Sequence, residues 1–221
     1  MGVVLEDQTE DVISPTTVSK EKVSPVVADF AYLVVKRCFD IVFSLLLGIV
    51  LFIPMLFVAL LIKIESPGPA IFKQERLGKD GKSFTIYKFR SMKMDAPSEI
   101  ATNKLLNSGD YTTRIGKLLR VTSIDELPQL WNILKGDMSF VGYRPVCVTE
   151  TELNDLRREY GVFSMRPGLT GYAQVNGRDN VFSYKDKVEM DAYYVQNASV
   201  KLDIQCLLQT FSAVLSREGA K

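Results

Sequence analysis

Two adjacent carboxylates, Asp125 and Glu126, lie in the stretch Thr122-Ser123-Ile124-Asp125-Glu126-Leu127-Pro128-Gln129. Lys117 and Arg120 precede them and Lys135 follows. An acid pair among cations suits nucleophilic or metal-assisted chemistry on a phosphate. Composition narrows the choice further. The 221 residues include no histidine, which removes the commonest general base and the commonest transition-metal ligand. Cys38, Cys147 and Cys206 are far apart and form no Cys-x-x-Cys pair, which argues against zinc and against a disulfide framework. Catalysis must then rest on carboxylates, lysines, arginines or hydroxyls. Any metal is expected to be a hard, oxygen-liganded ion such as Mg²⁺.

Pro128 constrains how the pair is presented. If Ser123 caps a helix, Ser-Ile-Asp-Glu makes a capping box, and Pro128 deletes one intrahelical bond. If Asp125 caps, Pro128 falls within the first turn and deletes none, so this start is preferred. Both place the carboxylates at the positive end of a helix dipole, which favours a nearby anion or metal–phosphate complex. The plainer alternative is that Asp125 is only a cap. The helix expected over 125–135 carries Leu127, Leu130, Trp131 and Leu134 as one apolar stripe, read as core packing.

The elements around this stretch point to a membrane. Residues 41–62 run for 22 residues without a charge, about 33 Å of helix, enough to span a hydrocarbon core. Pro54 removes the hydrogen bond to the Val50 carbonyl and should kink that helix. Lys36 and Arg37 precede the run and Lys63 follows it, so the positive-inside rule allows both ends on the cytoplasmic side. A kinked helix returning through one leaflet and a tilted spanning helix both fit. Asp40 is expected to pair with Arg37 or Lys36. Residues 1–30 hold six acids against Lys20 and Lys22, about −4, and read as a mobile acidic tail. Residues 63–93 hold eight bases against three acids, about +5, suited to anionic headgroups or phosphorylated substrates rather than to nucleic acid.

Ala70–Arg76 and Ser83–Phe89 read as a β-hairpin around Gly78-Lys79-Asp80-Gly81. Lys88 and Arg90 continue the face of Phe84 and Ile86, so they either meet an anion or snorkel at the sheet end. Residues 95–111 read as a loop. Ile115, Leu118 and Leu119, with Arg114, Lys117 and Arg120, make a short basic helix for the membrane surface or the core. Thr149–Tyr160 reads as a charged helix, and residues 166–178 as a glycine-rich loop able to approach a ligand. Ile204, Leu207, Leu208, Phe211, Val214 and Leu215 mark a C-terminal amphipathic helix. The fold class is α+β: a membrane-inserted N-terminal helix over 31–63, then a mainly helical cytosolic domain over 64–221 with a small β-hairpin.

Several ordered motifs carry a family resemblance from about Lys36 to the C-terminus. They are KRCFDI, the apolar run with its proline, FKQERLGKDGKSFTIYKFRSM, TSIDELPQLWNILKGDMSFVG, RPGLTGYAQVNGR and EMDAYY. Together they resemble the bacterial sugar transferases, the monotopic phosphoglycosyl transferases of exopolysaccharide, capsule and glycoprotein synthesis. The resemblance implies an enzyme on the cytoplasmic face of the bacterial inner membrane. It would move a sugar 1-phosphate from a UDP-sugar to undecaprenyl phosphate and release UMP. It also implies Asp125 as the nucleophile of a covalent phosphosugar intermediate and Glu126 as its partner, the two holding Mg²⁺. Lys88, Arg120 and Arg144 match cations near the phosphates, Arg178 lies in the nucleotide loop, and Asp191 matches an active-site acid. A homodimer and downstream glycosyltransferases are the further partners it admits. Two departures stand out. Ile53-Pro54 replaces a frequent Ser-Pro at the membrane break, so a re-entrant path rests on Pro54 alone. Gly142-Tyr143-Arg144-Pro145 replaces Gly-Pro-Arg-Pro but keeps the arginine. The readings that compete are a silent membrane-anchored nucleotide-sugar or partner-binding protein, and a soluble domain whose apolar run is a core helix.

Overall fold

The structure, a computed structural model, describes residues 29–96, 111–177 and 183–215. The acidic tail up to residue 28, most of the 95–111 loop and Arg178 therefore lie outside the described residues.

The apolar run forms two helices, α1 (Phe30–Val50) and α2 (Phe52–Glu65), bent by 62°. The break falls at Leu51, beside the Val50 carbonyl that Pro54 cannot serve. Hydrogen bonds continue on either side, from the Leu51 N–H to Leu47 O and from the Met55 N–H to Leu51 O. No single described helix is long and apolar enough to cross a membrane, but the bent pair meets that test together. Burial along the pair is inverted relative to a soluble protein. The buried side chains are Tyr32, Asp40, Ser44 and Ile62, while Ile49, Val50, Phe52, Ile53, Phe57 and Ile64 are all more than half exposed. A core helix of a soluble domain would bury the second set, so the soluble reading loses its support.

Asp40 pairs with neither Arg37 nor Lys36, contrary to expectation. Its carboxylate accepts from Ser139 Oγ and the Phe140 N–H, both at 3.0 Å, and so anchors α1 to strand β3 (Ser139–Val141). Lys36 pairs instead with Asp203 at 2.7 Å. Arg37 donates to the carbonyls of Ile133 and Leu134, at the end of a helix where free carbonyls and the dipole attract a cation. Each expected partner is thus taken by a group on the other side of the α1 interface.

The hairpin is as expected to within one residue. Strands β1 (Ile71–Leu77) and β2 (Ser83–Phe89) pair antiparallel, with Ile71 opposite Phe89 and Leu77 opposite Ser83. The turn is a single 3₁₀ turn over Lys79–Gly81, with Asp80 and Gly81 at positive φ. The basic helix is α3 (Arg114–Val121), and it divides its apolar residues: Leu119 is buried while Leu118 is 62% exposed. Then come α4 (Gln129–Lys135), β3, α5 (Thr151–Glu159), β4 (Gly168–Thr170), the short α6 (Tyr172–Asn176), α7 (Tyr184–Gln196) and α8 (Val200–Leu215).

Residues 166–177 hold a strand and a short helix where a loop is expected. β4 pairs in parallel with β3, Ser139 beside Gly168 and Val141 beside Thr170. The glycines there permit close chain packing: a Cβ on Gly168 would lie 2.1 Å from the Gly142 nitrogen, and one on Gly171 would lie 1.9 Å from the Gly142 oxygen. α8 forms where expected, but Ile204, Leu208, Phe211 and Val214 face outward, and Cys206 is the side chain it buries fully.

Two apolar clusters result. The larger holds Ile133, Met138, Val141, Tyr143, Val162, Val188 and Tyr194. The smaller, of Ile62, Ala70, Phe89 and Leu119, joins the end of α2 to the hairpin and α3, with Ile124 and Leu127 packed against it. Glu65, the last residue of α2, strengthens that junction. Its two carboxylate oxygens accept from the Arg114 and Ile115 N–H groups at 2.7 and 3.0 Å, so the bent pair caps the start of α3. Thr113 Oγ1 takes a third N–H, that of Gly116. Glu65→Ala is therefore expected to cost about 1 kcal/mol of stability, as lost N-caps do. Chemical denaturation in detergent checks this; an unchanged midpoint would show that the cap carries no weight.

Candidate active site

The acid pair does not begin an α-helix. Asp125 and Glu126 lie in a single 3₁₀ turn (Ile124–Glu126), entered through Ser123 at φ 56°, a left-handed conformation for a residue with a Cβ. Neither Ser123 nor Asp125 makes a side-chain cap, and α4 starts three residues after Glu126, with Pro128 in the N-cap position. Both capping expectations fail for the same reason. The reversal at Ser123 sends the chain into a tight turn before α4, and Pro128, lacking an N–H, fits at the mouth of a helix where none is needed. The Asp125 carboxylate is thereby left for other use.

Asn132 ties this turn to the hairpin. It is fully buried on α4; its Oδ1 accepts the Tyr87 N–H at 3.1 Å and its Nδ2 donates to Thr85 O at 2.7 Å, so α4 docks on the edge of β2. That docking sets Lys88 against Glu126, with Nζ 2.7 Å from Oε1. Arg144, in the segment after β3, brings its Nη2 to the same oxygen at 3.0 Å. Lys88 and Glu126 are largely enclosed, at 18% and 16% side-chain exposure, whereas Arg144 is about half exposed and faces outward. Arg120 approaches from α3. Its Nε donates to Ser91 Oγ at 2.8 Å, and Gly116 allows this, since a Cβ there would lie 2.0 Å from the Ser91 carbonyl oxygen.

The electrostatics separate the two acids. Burial alone would raise Glu126, but Arg144 and Lys88 outweigh it and hold the carboxyl at about 2. Asp125 moves the other way. Burial raises it, Lys88 opposes that, and the charge of Glu126 raises it again. Arg120 and Arg144 pull it down, less strongly. Among the described residues no hydrogen bond or ion pair forms to the Asp125 carboxylate. One acid is thus a fixed anion between two cations; the other is the more basic and is unengaged, as a nucleophile requires. Burial lowers Lys88, with Glu126 working against it, while the Glu126 charge raises Arg144.

The structure brings together Asp125, Glu126, Lys88, Arg120 and Arg144. It does not bring Asp191 into contact with them: that side chain is buried in an ion pair with Arg157. Of the bases that flank the pair in sequence, Lys135 is bound to Asp137 at 3.0 Å. Arg90, on the same hairpin face as Lys88, grips the carbonyls of Ser66 and Pro67 and fixes the exit of α2. Trp131, expected in the core, is 59% exposed; Ile133 and Asn132 occupy the buried face of α4 instead. Sequence reasoning also missed Asn132, Ser91 and Arg157. Only Asn132 carried a signal, as a polar residue inside an otherwise apolar helix.

The donor set is compatible with a hard cation in one mode only. Among the described residues no cluster of three or more acids, cysteines or histidines could hold a metal. Two adjacent carboxylates are nevertheless the usual protein share for Mg²⁺ bound together with substrate phosphates.

The profile of a family described as bacterial sugar transferase matches residues 31–217. The exopolysaccharide production protein PSS of Rhizobium leguminosarum bv. phaseoli is 42% identical over 194 residues, 84% of this chain and 97% of that protein. The UDP-glucose:undecaprenyl-phosphate glucose-1-phosphate transferase of Caulobacter vibrioides is 41% identical, over 84% of this chain and 71% of its own length. The galactosyl transferase CpsE of Streptococcus agalactiae is 38% identical over 87% of this chain, which spans 44% of that longer protein.

Lys88→Met removes one of the two cations on a mostly buried carboxylate. It is expected to destabilise the fold by about 3 kcal/mol at neutral pH, the low end for a broken buried pair because Arg144 remains. The stabilisation of Glu126 is complete above its ordinary value of 4.5 and is lost as pH falls toward about 2. Wild type and variant should therefore converge on acidification. Urea unfolding across that range tests this, and a gap that widens with acid would contradict it.

Proposed function

The chain belongs to the bacterial sugar transferase family, and from that premise we propose that it transfers a sugar 1-phosphate from a UDP-sugar to undecaprenyl phosphate, releasing UMP. The observation that carries this reading is the unequal acid pair: Asp125 unengaged, Glu126 held by Lys88 and Arg144. In the first step an Asp125 carboxylate oxygen attacks the sugar-bearing phosphorus. An O–P bond forms, the bridging P–O bond breaks, and UMP leaves with the bridging oxygen. In the second step an oxygen of the lipid phosphate attacks the same phosphorus. The new diphosphate link forms, the aspartyl O–P bond breaks, and the Asp125 carboxylate is restored. Division into two displacements lets one site serve a soluble donor and a lipid acceptor in turn.

Arg144 and Lys88 both reach Glu126 Oε1, beside Asp125, and the charge of Arg120 acts on Asp125 from α3. These charges suit the equatorial oxygens of a phosphoryl group in transfer. Mg²⁺, held by Asp125 and Glu126 together with the diphosphate, would supply charge neutralisation to the leaving group. Arg178 is assigned to the nucleotide on the resemblance alone. The bent α1–α2 pair, apolar outside and basic at both flanks, supports a re-entrant insertion on the cytoplasmic face of the bacterial inner membrane. A place in exopolysaccharide synthesis is supported by the name of the Rhizobium relative.

Purified protein given a panel of UDP-sugars, Mg²⁺ and undecaprenyl phosphate should release UMP, and Asp125→Asn should lower that release by at least about 10³-fold. Full turnover by Asp125→Asn would remove the covalent scheme. Binding of UDP-sugars without any UMP would replace the transferase by a binding protein. A chelator should abolish turnover reversibly, with recovery on added Mg²⁺; indifference to chelation would remove the metal from the scheme.

A further inference from the structure

Asp191 and Arg157 lie away from the acid pair, yet both are almost wholly buried charges, at 2% and 3% exposure. Asp191 Oδ2 accepts from Arg157 Nε at 3.0 Å and from Arg157 Nη2. The remaining arm of that guanidinium, Nη1, donates to the carbonyl oxygen of Arg144 at 2.8 Å. The Arg157 guanidinium also lies over the Tyr143 ring, 5.0 Å from its centroid. Each of the three guanidinium nitrogens is thus engaged within the protein, and the side chain is buried. Across the same segment, Arg76 Nη1 donates to the carbonyl oxygen of Pro145 at 3.3 Å. Two consecutive carbonyls, those of Arg144 and Pro145, are held by two arginines from different elements, β1 and α5.

We propose that Asp191 and Arg157 are positioning residues of the transfer site, acting on it through the backbone of Arg144. The chain of contacts runs from the Asp191 carboxylate to Arg157, from Arg157 to the Arg144 carbonyl, and from the Arg144 side chain to Glu126 Oε1. Arg144 sits on an irregular segment between two tethers: the Tyr143 carbonyl before it accepts from the Gly168 N–H at 2.9 Å, and its own carbonyl accepts from Arg157. The second tether is a buried arginine, and Asp191 is the counter-charge that makes a buried arginine tolerable. Asp191 is a poor direct ligand for a diphosphate, since it carries the same sign of charge and lies beneath Arg157. Loss of Asp191 would let the Arg144 guanidinium drift by a fraction of its length, enough to weaken its hold on both Glu126 and an incoming phosphate.

This inference rests on the transfer reading for its site, and a double-mutant cycle between Asp191 and Arg144 separates the two. Asp191→Asn is expected to lower kcat/KM for UMP release roughly tenfold in the wild-type background, and less than about twofold once Arg144→Ala is present. Equal losses in both backgrounds would mean that Asp191 contributes independently, which overturns the proposal. Asp191→Glu, which keeps the charge opposite Arg157, should recover part of the rate. Arg157→Lys guards against a variant that merely fails to fold: it keeps a cation beside Asp191 but loses the fork that reaches the Arg144 carbonyl. A folded Arg157→Lys should show the same loss as Asp191→Asn, and wild-type turnover in it would sink the proposal. The same cycle measured on UDP affinity by calorimetry does not depend on turnover. Coupling in UDP affinity without UMP release from wild type would end the transfer reading and keep the positioning one. Release of UMP without coupling in either readout would do the reverse.

Discussion

One carboxylate oxygen, Glu126 Oε1, receives Lys88 from the hairpin and Arg144 from the segment after β3. Three pieces of chain far apart in sequence are thereby brought to one point, and most of the surrounding architecture keeps them there. Asn132 docks α4 on β2, Gly116 lets α3 close on Ser91, and Glu65 binds the end of the bent α1–α2 pair to α3. A mostly enclosed carboxylate would be costly alone; between two cations it is ionised and rigid. The adjacent Asp125 inherits a fixed environment without being tied by it. Division of labour between neighbouring acids thus arises from an unequal distribution of partners, with no difference in residue chemistry beyond one methylene.

Much of this was legible in the sequence, for identifiable reasons. Hairpins announce themselves through alternation and turn glycines, and the β1–β2 pair came out within one residue. Pro54 told where α1 must break because a missing N–H has a definite address four residues back. The alternation that put Lys88 and Arg90 on one face left open whether they meet an anion or end the sheet. Lys88 does the first, and Arg90 binds carbonyls beyond the strand. The constellation of Asp125, Glu126, Lys88, Arg120 and Arg144 was assembled only with the help of the family resemblance, since charge spacing alone does not bring residues 88, 126 and 144 together.

What was not legible depended on tertiary competition. Local propensity favoured a cap at Asp125, and nothing local signalled that Ser123 would take a left-handed conformation. Asp40 had two cations within one helical turn, but Ser139 and the Phe140 amide offered bonds from a strand about a hundred residues away. Glycine marks close approach of any kind, and Gly168 and Gly171 serve the approach of β4 to the chain at Gly142, just past β3. Trp131 and the stripe on α8 were read through hydrophobicity, which identifies an apolar face without saying what it meets.

The Glu65 clamp has a consequence for how two substrates of unlike solubility can share a site. It makes α2 and α3 one lever, with the apolar bent pair at one end and Asp125 just beyond the other. Under the proposed insertion, the height of Asp125 above the lipid surface would be a property of the protein and would not be left to a flexible tether. An acceptor confined to the bilayer carries its phosphate at a height of its own. Matching two fixed heights would turn a three-dimensional search into a lateral one, in which the proposed acceptor would be selected by where its phosphate travels.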